Sequence, residues 1–282
     1  MTRATSRVMA LSFAVLLTGC AIGSGLPEGA TVLENQPHSE AEDALGGDLY
    51  LPAGNDRRPA VLLIHGGGWR NGNPGQMAHL GRSLAGEGFV AYSAAYRFAP
   101  EHTHPAQVED VRQAMAWLAR HERVDPDRIA IWGYSAGAHL ALMLGFGAEP
   151  DAADNGRPRR PAAVVAGGSP TDFERFEPNG RLLVNLVGAP RKDDPDGWRR
   201  ASPIHWADGD SPPIYLYHGR LDRVVDIGHS EVLYTALTDL GVPVEFDEVG
   251  WGHFWVFLVN RGVERRATAF LHSILASGGR LE

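Results

Sequence analysis

The sequence predicts an α/β protein in which a mostly parallel central sheet is covered by helices on both faces. Apolar runs alternate along the chain with segments of helical periodicity, as they do when helical crossovers join parallel strands. One of these runs, residues 60–64, is apolar at every position, which is typical of a strand buried on both faces. The 263 residues that follow the predicted N-terminal signal, 282 minus 19, suit one domain of ordinary size.

The predicted elements follow one another in regular order. An early strand covers residues 47–51 and ends before Pro52. Pro105 opens a helix in which apolar residues recur at three- and four-residue spacing from Val108 to Leu118. The other predicted strands are residues 60–64, 89–96, 129–132, 162–166, 213–217 and 244–246, and the other predicted helices are residues 138–144, 230–240 and 262–276.

Residues 172–200 interrupt the alternation with mixed charges, prolines and short apolar clusters. An insertion at this point would lie over the carboxyl ends of the strands, where open α/β sheets bind their ligands. The segment is therefore either a small cap or lid over a site or an ordinary surface excursion, and the sequence leaves both open.

The N-terminus is predicted to carry an export signal. Two arginines precede an apolar stretch at residues 8–17, which is too short to span a bilayer as a mature helix. The stretch runs into Leu-Thr-Gly-Cys at residues 17–20, which resembles a bacterial lipoprotein signal. The resemblance implies cleavage after residue 19 and acylation of Cys20, with an ordinary secretory signal as the alternative. We expect a signal peptide at residues 1–19, the lipidated cysteine and a tether at 20–44, and the folded domain at 45–282.

Composition and spacing argue against several classes of function. The formal net charge is −8 and no basic stripe is present, which argues against binding to nucleic acid. With one cysteine, an exported fold cannot depend on an internal disulfide. His102 and His104 have a spacing that could bind zinc, but no third ligand is evident, so we predict no metal and no cofactor.

A candidate nucleophile lies in Gly-Tyr-Ser-Ala-Gly at residues 133–137, between the predicted strand 129–132 and the predicted helix 138–144. In this setting a G-x-S-x-G motif exposes the serine on a sharp turn above the end of the sheet. The glycines remove side chains that would clash where the strand and the helix pack closely. Ser135 is therefore predicted to be a nucleophile, and the alternative is a glycine-rich turn with an inert serine.

A nucleophilic serine needs a base and an acid that orients the base. Asp222 and His253 each follow a predicted strand, in the order serine, acid, histidine that this architecture expects. His253 would accept the proton of Ser135 and pass it to the leaving group, while Asp222 would fix the imidazole tautomer. Asp226 is the alternative acid.

Donors for a developing oxyanion are predicted in His-Gly-Gly-Gly-Trp at residues 65–69, directly after the strand 60–64. Glycines let the backbone N–H groups approach the substrate closely, and the expected donors are Gly67, Gly68 and, at the start of the elbow helix, Ala136. A phosphate-binding loop would need a lysine and a serine or threonine after the glycines, and Trp-Arg-Asn does not supply them.

In combination these motifs resemble an α/β-hydrolase of the esterase/lipase group, close to the hormone-sensitive-lipase-like and the bifunctional feruloyl/acetyl-xylan esterase families. The resemblance covers about residues 45 to 275 and includes Tyr-Arg-Phe-Ala-Pro at 96–100, which is expected to anchor the oxyanion loop. Tyr134 stands where many hormone-sensitive-lipase relatives have aspartate, and too few residues precede the glycine loop for their helical cap. Both departures favour the open-sited xylan-esterase and kynurenine-formamidase-like branch.

The resemblance implies a serine carboxylesterase that cleaves short-acyl or aryl esters through an acyl-enzyme, with acetyl or feruloyl esters of polysaccharide as candidate substrates. The expected partners are a small-molecule or carbohydrate-linked ester and, through Cys20, a bacterial membrane on its periplasmic or cell-surface side. The alternatives are a kynurenine-formamidase-like amidase, a serine peptidase of the same fold, and a tethered binding protein without activity.

Overall fold

A computed structural model describes residues 25–39, 44–148, 160–259 and 261–276. The strands are β1 (Thr31–Pro37), β2 (Gly46–Leu51), β3 (Arg58–Ile64), β4 (Val90–Ala94), β5 (Val124–Tyr134), β6 (Ala163–Gly167), β7 (Ile214–Gly219) and β8 (Val244–Val249). The helices are α1 (Ala78–Gly86), α2 (Ala106–Arg120), α3 (Ala136–Gly145), α4 (Arg181–Val187), α5 (Pro195–Arg200), α6 (Gly228–Asp239), α7 (His253–Val259) and α8 (Arg261–Ala276).

The eight strands form one sheet in the order β1-β2-β4-β3-β5-β6-β7-β8. The six strands from β4 to β8 in this order pair in parallel, whereas β2 is antiparallel to both of its neighbours, β1 and β4. Parallel neighbours bring the carboxyl ends of the strands to one edge, so the loops after β3, β5, β6, β7 and β8 meet there. The predicted α/β class with a mostly parallel sheet is confirmed.

Helices cover both faces of this sheet, and β3 shows how the sequence divides between them. Its residues alternate, so that Leu62 and Ile64 join one apolar cluster while Val61 and Leu63 join the other. The first cluster includes the apolar faces of α2, α3 and α6, and the second includes those of α1 and α8. Because both faces are buried, β3 has no polar alternation, as its unbroken apolar sequence predicts.

The sheet begins earlier than residue 45, where the sequence analysis placed the start of the domain. Strand β1 falls within the predicted tether and pairs with β2 through Val32 opposite Tyr50. Most of its side chains are exposed, so its sequence carries no apolar alternation that would mark a strand. The predicted signal peptide and Cys20 lie outside the described residues, and no helix in the described ranges has the length and hydropathy to cross a bilayer.

Residues 172–200 form an ordered cap over the strand ends. The segment contains α4 and α5, and the rings of Phe173 and Trp198 are fully buried. The indole N–H of Trp198 donates to the carbonyl of Ala189, at 2.9 Å. These anchors favour the cap over a loose surface excursion, which were the two alternatives left by the sequence.

Candidate active site

Ser135 lies on the turn between β5 and α3 in a conformation that few residues with a side chain adopt. Its φ and ψ are 55° and −121°, and its backbone N–H donates to the carbonyl of Gly167 at 2.8 Å. A positive φ costs free energy for a non-glycine residue and persists only where the surroundings enforce it. The turn therefore holds the serine side chain away from both the strand and the helix.

The two glycines of the motif are required by the close approach of β5 and α3. A Cβ atom on Gly133 would lie 2.1 Å from the carbonyl oxygen of Gly137. A Cβ atom on Gly137 would lie 2.1 Å from the carbonyl oxygen of Ile64 in β3. Both distances are far below van der Waals contact, so the backbone cannot make this turn with a larger residue at either position.

The structure brings Ser135, His253 and Asp222 together at the carboxyl edge of the sheet. His253 Nε2 is 3.0 Å from Ser135 Oγ, and His253 Nδ1 is 2.6 Å from Asp222 Oδ2. Asp222 lies in the loop after β7, and His253 is the first residue of α7 after β8. The histidine and the carboxylate are buried, which places the hydrogen-bonded chain in a medium less polar than water.

Asp222 is held as a carboxylate by its neighbours. Its Oδ1 accepts the N–H groups of Val224 and Val225 at 2.8 and 2.9 Å. Burial alone would raise the pKa of Asp222, but the hydrogen bonds from His218, His253 and the Val225 N–H outweigh it and keep the pKa well below its usual range. His218 Nε2 lies 3.3 Å from Asp222 Oδ2 and 2.9 Å from the Val225 carbonyl oxygen. A charged acid can therefore stabilise an imidazolium at His253.

The alternative acid, Asp226, points elsewhere: its Oδ1 accepts the N–H of Gly228 at 2.9 Å. We therefore expect Asp222→Asn to lower kcat for an ester substrate by about 10⁴-fold, because the wrong imidazole tautomer would face Ser135. Asp226→Asn removes the same negative charge four residues away, and its kcat should stay within a few-fold of that of the parent. Steady-state kinetics of the two variants show which aspartate is the triad acid. A severe loss of kcat in Asp226→Asn alone would assign that role to Asp226.

The glycine loop after β3 lies beside the serine. Gly67 and Gly68 have φ values of 122° and 62°, which glycine adopts without strain. In the described ranges of the chain, the N–H groups of Gly67, Gly68 and Ala136 donate to no backbone acceptor. Three free donors next to a serine hydroxyl are what an oxyanion site requires.

Aromatic and histidine side chains support this loop from below. The Tyr96 hydroxyl donates to the His65 carbonyl at 3.0 Å, and the two rings stack with centroids 4.5 Å apart. Trp69, with a φ of 57°, donates its indole N–H to His139 Nδ1 at 3.1 Å. Burial lowers the pKa of His65 to about 4 and that of His139 to about 3, so both side chains stay neutral and serve to hold the loop.

A cavity of about 600 Å³ opens above Ser135 and the glycine loop. The cap contributes a large part of its wall, in agreement with the first of the two alternatives that the sequence left open for residues 172–200. The lining residues beyond the loop and the serine are Pro170, Phe176, Glu177, Gly180, Arg181, Leu182, Leu183, Val224, Val225 and Phe254. Most of this wall is apolar, so the cavity suits an acyl or aryl group rather than a strongly polar ligand.

Tyr134 is a site residue whose role the sequence analysis missed. Its hydroxyl donates to the backbone carbonyl of His253, and its ring lies 5.2 Å from the imidazole. The available signal was its position immediately before the serine, where the resemblance expected aspartate. The tyrosine thus attaches the start of α7 to the end of β5.

The described residues contain one group of side chains that could hold a metal ion, Asp172, Glu174 and His205. Asp172 already accepts the N–H of Glu174 at 2.9 Å, and Glu174 lies 3.7 Å from both Arg199 and His205. The group therefore has local partners of its own and does not include His102 or His104.

Comparison with known proteins places this geometry among esterases. The BD-FAE family model matches residues 47–237. Esterase LipQ of Mycobacterium tuberculosis is 32% identical over 210 residues, which are 70% of this chain and 50% of that protein. The probable carboxylic ester hydrolase LipM of the same organism is 31% identical over 182 residues, covering 60% of this chain and 42% of that protein. The chain thus spans half or less of the length of these relatives.

Solved structures agree in architecture. The butyrate-bound esterase Est2 of Thermogutta terrifontis superposes with a TM-score of 0.73 at 25% identity, covering 88% of this chain and 95% of that one. A bifunctional GH43-CE protein of Bacteroides eggerthii gives a TM-score of 0.75 at 25% identity, over 86% of this chain and 38% of the other. The shared architecture is the α/β-hydrolase fold.

Proposed function

The chain belongs to the BD-FAE family, and from this premise we propose that it is a serine carboxylic ester hydrolase. The observation that carries the proposal is the position of His253, whose ring nitrogens lie within hydrogen-bond distance of Ser135 and Asp222. The serine hydroxyl opens into a largely apolar cavity beside three free N–H donors, as acyl transfer requires.

In the first half-reaction Ser135 Oγ attacks the ester carbonyl carbon while its proton passes to His253 Nε2. The carbonyl π electrons move to oxygen, and the N–H groups of Gly67, Gly68 and Ala136 stabilise the resulting oxyanion. Asp222 stabilises the imidazolium. The intermediate then collapses, the bond to the alcohol oxygen breaks, and that oxygen takes the proton from His253, which leaves an acyl-serine.

The second half-reaction repeats these roles with water as the nucleophile. His253 removes a proton from water as its oxygen attacks the acyl carbon, and the same N–H groups stabilise the second oxyanion. Collapse returns the proton to Ser135 Oγ and releases the carboxylic acid. No cofactor enters either step, because the acid, the base and the nucleophile all come from the chain.

We propose short-acyl or aryl esters as substrates, including acetyl or feruloyl esters carried on polysaccharide. Support comes from the apolar cavity of about 600 Å³, which can enclose an aromatic acyl group. The butyrate-bound state of the Thermogutta esterase agrees with a short acyl group.

A substrate panel tests this proposal. We expect kcat/KM to be highest for acetyl, butyryl or feruloyl esters and to fall at least tenfold for the octanoyl ester, because a long flexible chain loses more conformational freedom on binding than a short or an aromatic acyl group. A matched series of anilides should be cleaved far more slowly, whereas equal rates for esters and amides would favour an amidase. A maximum at octanoate would contradict the short-acyl assignment.

We also propose that the protein is exported and anchored to a bacterial membrane by acylation of Cys20, the only cysteine. More than one acyl chain on this terminus would make the attachment stable. Mass spectrometry of the protein purified from membranes should find Cys20 as the first residue, with the added mass of its acyl groups. A free terminus at another residue would reject the anchor while leaving the hydrolase assignment intact.

A further inference from the structure

Large apolar side chains are exposed on one patch, which we call the α7 rim. Its members and their exposed fractions are Leu221 66%, Val224 54%, Trp251 51%, Phe254 68%, Trp255 58% and Leu258 67%. Single exposed apolar side chains are common on soluble proteins, but a contiguous group that includes two tryptophans marks an interaction site.

The α7 rim is continuous and borders the catalytic cavity. The N–H of Leu221 donates to the carbonyl of Trp251 at 3.2 Å, which joins the two loops of the rim. Val224 and Phe254 both line the cavity above Ser135. Within α7, whose buried side includes Val256, the exposed Leu258 follows Phe254 by four residues and Trp255 by three, so it neighbours both on the helix surface.

We propose that the α7 rim docks on the surface of a lipid bilayer, with the mouth of the catalytic cavity at the membrane interface. Tryptophan is enriched at this interface because its ring is apolar and its N–H is polar. Arg220 and Arg223 are exposed on either side of Leu221, where their guanidinium groups can contact lipid phosphates although the whole chain is acidic.

Pro27, close to the first described residue, lies about one helix length from the rim, at the other end of α1. Leu258 lines a cavity of about 110 Å³ together with His79 and Leu80 at the beginning of α1. At the other end of α1, Pro27 packs against Gly86, where a Cβ atom would lie 3.1 Å from the proline ring. Nine helical residues span about 14 Å.

Six residues lie between Cys20 and Pro27, and the seven Cα–Cα steps that join the two can span at most about 24 Å. An acyl group on Cys20 can therefore reach the bilayer that the α7 rim contacts. This part of the reasoning relies on the proposed acylation, whereas the exposed rim itself does not. The rim would add a second contact that orients the domain.

Tryptophan quenching by brominated lipid tests the contact directly. The full chain carrying Cys20→Ala, which cannot be acylated, is mixed with phosphatidylethanolamine and phosphatidylglycerol vesicles that contain dibrominated phosphatidylcholine. Of the seven tryptophans, Trp251 and Trp255 alone are exposed, so we expect quenching of their emission. In Trp251→Phe/Trp255→Phe the quenched fraction should fall at least threefold. Absent quenching in the parent, or equal quenching in this variant, would overturn the proposal.

A second pair of variants separates the rim from general apolar exposure. Trp255→Ser/Leu258→Ser should reduce the quenching of Trp251 at least twofold, whereas Tyr234→Ser/Leu240→Ser, two exposed apolar residues at α6, should not. Both variants should hydrolyse soluble p-nitrophenyl acetate like the parent, which verifies their fold. Equal quenching in the two variants would refute the rim as the contact. Sedimentation velocity showing that the rim variant abolishes a dimer, with quenching unchanged, would assign the rim to a second copy of the chain instead.

Discussion

Replacing Ser135 by alanine is expected to lower kcat for p-nitrophenyl acetate by roughly 10⁶-fold, because no other group can form the acyl-enzyme. The hydroxyl removed is the one 3.0 Å from His253 Nε2. The oxyanion donors and the cavity remain, so a small rate above that of water is expected to persist. Stopped-flow and steady-state release of p-nitrophenol measure the loss, and the acyl-enzyme burst should vanish with it.

Ser169→Ala provides a matched control for this change. Ser169 follows β6, its side chain is fully buried, and among the described residues its hydroxyl has no hydrogen-bond partner. Its removal should leave kcat within a few-fold of the parent. Equal hydrolysis by the parent and Ser135→Ala, with both above the background rate, would reject Ser135 as the nucleophile.

Replacing Gly137 by alanine is expected to lower the free energy of unfolding by about 3 kcal/mol or more. The new methyl group would lie 2.1 Å from the Ile64 carbonyl oxygen and 2.6 Å from that of His65, and backbone atoms cannot rotate away as side chains do. The helix would have to move off β3, so activity should fall as well. Urea denaturation followed by circular dichroism measures the change.

Gly250→Ala is the control that separates the steric clash at Gly137 from the general effect of replacing a glycine by alanine. A Cβ atom at Gly250 meets no atom within 4 Å, and its φ lies outside the positive range. This substitution should change the free energy of unfolding by less than about 0.5 kcal/mol, as surface substitutions usually do. A similar loss of stability in both variants would show that the close approach of α3 and β3 is not what requires Gly137.

The residues at the carboxyl edge of the sheet could be predicted from the sequence because each of them follows a local pattern that marks a strand. Uninterrupted apolar runs mark β3, β5 and β7, and a parallel sheet brings the residues that follow such runs to one edge. Ser135, Asp222 and Gly67 were therefore assigned to neighbouring loops without knowledge of tertiary contacts. The assignment of His253 depended more on the chain order serine, acid, histidine, because the residues of β8 are partly exposed and give a weaker strand pattern.

The parts that could not be predicted depend on contacts between distant residues. Strand β1 is held by pairing with β2 and carries almost no apolar pattern of its own. The contribution of the cap to the cavity wall depends on α4 folding back, which places Leu182 against Gly68. The exposure of α7 could not be predicted either, because a mostly apolar segment of seven residues normally predicts burial.

The bond from Tyr134 to the His253 carbonyl bears on how the base can move during turnover. Two consecutive residues contact His253: the Tyr134 hydroxyl bonds to its backbone carbonyl, and the Ser135 hydroxyl bonds to its ring. Translation of α7 away from the serine would break the tyrosine bond, whereas rotation about the histidine side-chain bonds would not. Rotation of the imidazole about these bonds is therefore the motion that remains while α7 stays attached, and a small rotation would carry the proton on Nε2 from the nucleophile toward a leaving group.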